Sequence, residues 1–131
     1  LNSLIKYGTM LFVSSVSLAI IIYLFAGEIL NIIYGDLYVT GTFALMIIAL
    51  NIAVIGVNVF LGNPLTVWGL QKKYAVAITL GAVANIILNI LLIPKYSYNG
   101  AALATLFSEV VVFIGLFYLF NKNIKTILSE E

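Results

Sequence analysis

Residues 85–109 read NIILNILLIPKYSYNGAALATLFSE, and this stretch decides the fold. Asn85 and Asn89 are four apart, so they share one face of a helix. Pro94 has no N–H to donate and its ring crowds the preceding turn, which predicts a helix end there. Tyr96, Tyr98, Asn99 and Gly100 then predict a polar, aromatic turn. Ala101, Ala104, Thr105 and Ser108 recur at spacings of three and four, with Gly115 further on, and predict a smooth helical face for close packing. Glu109 sits beside that face, deep in apolar sequence. Two apolar helices reversed by a short loop around a few polar groups predict a polytopic membrane bundle.

Composition points the same way. Of 131 residues, 63% are hydrophobic and only 8% charged, with a mean hydropathy of +1.18. A soluble domain carries about 25% charged residues. Uncharged runs span 7–27, 37–71 and 74–94, and the run 96–121 is broken only by Glu109. A helix needs about 20 apolar residues to cross a ~30 Å hydrocarbon core, and each run is long enough. The runs do not alternate as the strands of a membrane barrel would. The predicted fold class is therefore all-α, with four transmembrane helices at about 9–26, 40–68, 74–93 and 100–120 in a single membrane domain.

Between the first two spans lies GEILNIIYGDLYV, residues 27–39. Glu28 and Asp36 hold it out of the hydrocarbon, five aliphatic residues hold it close, and Tyr34 and Tyr38 suit the headgroup level. This composition predicts a short interfacial helix ended by Gly35. In the first span, Ser14, Ser15 and Ser17 are tolerable because their hydroxyls can bond back to the previous turn. In the second, Asn51, Asn58, Gly62 and Gly69 follow at steps of seven, four and seven and line one face. Pro64 predicts a kink, because the apolar run of about 30 residues would reach ~45 Å if straight. Gln71, Lys72 and Lys73 predict a very short turn, and Gly81 joins Asn85 and Asn89 on one face of the third span. Residues 121–131 form a polar tail.

With four spans, the N-terminus, the 71–73 turn and the tail share a side that carries Lys6, Lys72, Lys73, Lys122 and Lys125. The other side carries only Lys95. The positive-inside rule places both termini in the cytoplasm and makes this a multi-pass protein of the cytoplasmic membrane.

Catalysis has little to stand on. The chain has no Cys, no His and no Arg, so thiolate, zinc and imidazole chemistry lack their groups, and no metal or cofactor is expected. The serines and threonines have no accompanying base, the glycines show no phosphate-binding spacing, and a net charge of +1 gives no case for nucleic acid. The candidate intramembrane polar residues are Glu109, Asn51, Asn58, Asn85 and Asn89. Glu109 lies about nine residues into the last span, ~13 Å deep. An ionised carboxylate at that depth is costly. Glu109 is expected either as a neutral clasp to an Asn or a carbonyl on a neighbouring helix, or as a proton- or cation-responsive group. Gly81, Ala101, Ala104, Thr105 and Ser108 read as helix-packing positions, and Tyr96 and Tyr98 as interface anchors.

The stretch NPLTVWGLQKKYAVAITLGAVANIILNILLIPKYSYNGAALATLFSE resembles the C-terminal region of polysaccharide-biosynthesis flippases of the MOP exporter superfamily. The resemblance is carried by Pro64-Leu65 before Gly69, Lys72-Lys73, Asn85 with Leu88-Asn89, Ile93-Pro94, Gly100-Ala101-Ala102, Ala104-Thr105 and Ser108-Glu109, with Ile33-Tyr34-Gly35-Asp36 and Tyr38 upstream. It implies two helical lobes around a central cavity and outward movement of polyprenyl-linked oligosaccharide by alternating access. This chain would then be the end of the second lobe, with the lipid bilayer and the remaining helices of the full-length protein as its partners. The first residue is Leu rather than Met, which also reads as a piece of a longer protein. A diphosphate headgroup wants buried cations, and none lies between the flanking lysines, so an anionic site is expected in the absent part. The rivals are a MATE-type drug or cation exporter and a small four-helix membrane protein with a structural role.

Overall fold

The computed structural model describes the backbone of residues 2–128 and the side chains of residues 6–124. The described chain is helical almost throughout, in the order α1 (Asn2–Leu24), α2 (Ala26–Tyr34), a 3-10 helix (Asp36–Gly41), α3 (Thr42–Val67) and α4 (Gln71–Leu128). Three segments are long and apolar enough to cross a membrane: Lys6–Leu24, Asp36–Val67 and Gln71–Ile124. The all-α bundle of apolar helices expected from the sequence is what forms. In α1 the hydroxyls of Ser14, Ser15 and Ser17 donate to the carbonyls of Leu11, Phe12 and Val13 at 2.9, 2.8 and 2.9 Å, which satisfies them within their own helix.

The last segment is 54 residues long, so a straight helix would reach ~80 Å, far more than a bilayer core. It does not run straight. Ser97 (φ 53°, ψ −133°) breaks α4 into arms 71–96 and 98–128. Ala77 lies against Gly115, Gly81 against Ser108 and Val112, and Leu92 against Gly100, while Asn85 bonds Ser108. Partners that approach each other step by step along the chain define an antiparallel hairpin of helices. A Cβ on Gly100 would collide with the backbone of Leu92, and one on Gly81 with Val112. The hairpin is therefore as tight as it is because both positions lack a side chain.

α3 sits between this hairpin and α1. It runs antiparallel to α1, with Gly8 beside Phe60 and Gly56 beside Ser15. It runs parallel to the second arm of α4: partners are 51 residues apart at Asn58–Glu109 and 58 apart at Thr40–Tyr98. Two apolar clusters fix this pairing. At one end Leu61 and Leu65 of α3 pack with Ala77, Val112 and Leu116, joined by Trp68 and Phe120, whose rings lie 5.6 Å apart. At the other end Ala44 and Ile47 pack with Ala102. These directions gather the ends of the helices that carry Lys6, Lys72, Lys73 and Lys122, and leave Lys95 at the opposite end.

Several boundaries differ from those the sequence predicts. Pro94 does not end its helix, because its fixed φ suits a helical turn and its missing N–H forfeits only one bond; the reversal comes three residues later, at Ser97. The turn expected over 94–99 is thus a single non-helical residue. α3 continues through Pro64 to Val67, and the connection is Trp68–Leu70, held by Gly69 N–H to Thr66 O at 3.2 Å and Leu70 N–H to Leu65 O at 2.9 Å. Gln71, Lys72 and Lys73 open α4 instead of forming the turn, and Gln71 Nε2 caps Thr66 O at 3.0 Å. Segment 27–39 divides into α2, closed at Gly35 (φ 86°), and the 3-10 helix. The second arm extends to Leu128, so most of the expected tail is helical, and 129–131 lie outside the described residues.

Candidate functional site

The polar groups of the membrane-spanning segments meet around the second arm of α4. Asn58, on α3, is 6% exposed. Its Nδ2 donates to Glu109 Oε2 at 2.7 Å and to the Glu109 backbone carbonyl at 3.1 Å. A backbone carbonyl only accepts, so this contact fixes which way round the amide lies. Both amide protons go to one residue, and Asn58 Oδ1 is left buried without a partner. Glu109 is half-buried. It lies eleven residues beyond Tyr98, hence ~16 Å along the arm.

On the other side of the same arm a second chain of bonds joins the hairpin. Asn89 Nδ2 donates to Asn85 O and to Asn85 Oδ1, each at 2.9 Å. Asn85 Nδ2 donates to Ser108 Oγ at 3.1 Å, and Ser108 Oγ donates to Thr105 O at 2.8 Å. Thr105 Oγ1 donates to Ala101 O at 3.0 Å. The spacing of Asn85 and Asn89 is what allows the first amide to bond across while the second bonds back. Between the arms lies a groove of about 420 Å³ lined by Asn85, Thr105, Ser108, Glu109 and apolar residues that include Ile78, Ile86 and Val112.

The structure thus brings Asn58 to Glu109 and Asn85 to Ser108, with Asn89 bonded to Asn85. Asn51 is also buried, at 6% exposure, but its Oδ1 has no partner and it joins neither set. Gly81, Ala104 and Ser108 are buried between helices, Ala101 and Thr105 half-buried. Tyr98 does more than anchor: its hydroxyl donates to Thr40 O at 3.2 Å and ties the hairpin to the 3-10 helix that precedes α3. No sequence signal marks that contact, because 58 residues separate the two. Among the described residues, no three His, Cys, Asp or Glu side chains come together that could hold a metal ion.

No family model matches this chain, and no solved structure matches it at a significant level. Three curated proteins are similar to it. An uncharacterized membrane protein of Methanocaldococcus jannaschii is 31% identical over 105 residues, covering 80% of this chain and 21% of its own length. The capsular polysaccharide biosynthesis protein CapF of Staphylococcus aureus is 32% identical over 106 residues, 79% of this chain and 26% of its own. A probable low-salt glycan biosynthesis flippase of Haloferax volcanii is 32% identical over 90 residues, 69% of this chain and 19% of its own. The chain is a multi-pass, all-helical membrane protein that spans about a fifth to a quarter of the length of these relatives.

Proposed function

We propose that this chain is the C-terminal part of a flippase of the MOP exporter superfamily, which moves lipid-linked oligosaccharide or polysaccharide repeat units across the cytoplasmic membrane by alternating access. The observation that carries this is the similarity, over 69–80% of the chain, to two proteins of capsular-polysaccharide and glycan biosynthesis, one a probable flippase, and to a membrane protein. In this reading α1, α3 and the two arms of α4 are four crossings of the second lobe. α2 and the 3-10 helix lie at the outer interface, where Ile32 and Leu37 are 84% and 89% exposed and would enter the headgroup boundary. The lysine-bearing end faces the cytoplasm and the reversal at Ser97 faces outward, which the gathering of Lys6, Lys72, Lys73 and Lys122 at one end supports.

Transport, not catalysis, is what such a bundle offers. Asn51, Asn58, Asn85, Asn89 and Glu109 form its intramembrane polar set, and the small residues of α4 set how closely its arms pack. A neutral polyprenyl tail has apolar helix faces to lie against. No lysine lies within the spans at 9–26, 40–68, 74–93 and 100–120 to meet the headgroup's charge, so in this reading that site belongs to the rest of the full-length protein. The test is deletion of the full-length reading frame in its host. Lipid-linked glycan should then accumulate on the cytoplasmic leaflet while glycan disappears from the surface. Unchanged surface glycan in a strain without a second such gene would reject the reading.

A further inference from the structure

We propose that the groove between the two arms of α4 seats a further transmembrane helix of the full-length protein, one that brings a hydrogen-bond donor to the free oxygen of Glu109. The inference rests on the reading that this chain is part of a longer transporter. Glu109 lines the groove, and of its two carboxyl oxygens Asn58 engages Oε2 alone. No donor among the described residues reaches Oε1. Thr105 and Asn85 line the same groove, and its rim residue Ile86 is 60% exposed.

Three occupants can be weighed physically. Lipid would leave a carboxyl oxygen against hydrocarbon near mid-membrane, which is costly. A water column wants polar walls, whereas Ile78, Ala82, Ile86 and Val112 make much of this groove apolar. A helix meets both demands: its side chains fill the space between two neighbouring helices, and one donor satisfies the carboxyl. The groove holds a carboxyl and no cation, so the complementary side chain is a donor: an amide, a hydroxyl or an ammonium. The relatives are four to five times longer than the segments they share with this chain. Helices tethered in the same polypeptide therefore meet the groove at high effective concentration.

A photo-activated benzoylphenylalanine at Ile86 or Ala82 of the full-length protein tests this in membranes. The expected product is an intramolecular cross-link, at monomer mass, that peptide mapping places in a segment outside these 131 residues. Its yield should fall in Glu109→Gln, whose single amide oxygen stays with Asn58 and whose N–H2 would face the incoming donor, and fall several-fold in Glu109→Leu. A dimer adduct would assign the groove to a second copy. Capture of lipid alone would leave it open. Ready access of a water-soluble quencher to a label at Ala82 would make it an aqueous passage. Each of these outcomes overturns the proposal, and an unchanged yield in Glu109→Leu overturns the donor. Glycan export is scored separately in the same strains, so loss of the transport reading with the cross-link intact, or the reverse, can be told apart.

Discussion

Asn58 commits both amide protons to Glu109, so removing either side chain strands the other. Bonds between membrane helices are worth about 0.6 kcal/mol on average and up to about 1.7. The short distance and the doubled contact place this one toward the upper end. A double-mutant cycle of Asn58→Ala and Glu109→Ala, read by reversible unfolding of the full-length protein in detergent, should give a coupling of about 1 kcal/mol or more. Additive effects would mean the bond contributes nothing. Glu109→Gln keeps an acceptor and should preserve both expression and transport, whereas Glu109→Ala should lower expression. A Gln variant that is well folded but inactive at every pH would make Glu109 a transport residue rather than a clasp. That Glu109 lies within a membrane-spanning segment was legible from its place in an apolar run. Its partner was not: four asparagines qualified equally, and only the parallel pairing of α3 with the second arm of α4 selects Asn58.

The hairpin of α4 shows where element boundaries escape the sequence. Run lengths locate the apolar segments because hydrocarbon sets a minimum length, and Gly35 ends α2 as its type suggests. Pro94 misleads because proline signals the end of a helix only statistically. Ser97 carries the reversal with a positive φ that serine rarely adopts. Ser97→Gly should therefore stabilise the protein by about 1 kcal/mol, while Pro94→Ala, at an exposed position, should change stability by about 0.5 kcal/mol or less. Gly100→Ala places a methyl on the Leu92 backbone and should destabilise by about 1–3 kcal/mol. The same unfolding assay ranks all three. A Pro94 variant that loses more than the Gly100 variant would return the reversal to the proline.

At the scale of the molecule, the chain is apolar, flanked by lysines and carries buried polar groups within its long helices. The exposed faces of α1 and of the first arm of α4 show how much of its surface is left for lipid or further helices. Reconstituted alone, the 131 residues should translocate no lipid-linked glycan, and robust flipping by them would show that no further lobe is required. The all-α membrane bundle was legible because composition and run length nearly determine it. The pairing of the two arms of α4 could be read from the short connection between them, with Gly81 at the contact; the pairing of α3 with α1 and with the second arm could not, since it depends on contacts such as Gly56 with Ser15 and Asn58 with Glu109 that have no local signature. Everything proposed stands on four crossings with the Ser97 reversal outside and the lysine-bearing end inside. Single cysteines at Tyr96 and Asn121, in a full-length background without other cysteines, measure this directly with an impermeant thiol reagent on intact cells. Labelling is expected at 96 and none at 121 until the membrane is permeabilised; labelling at 121 in intact cells, or equal behaviour of the two positions, would contradict this topology.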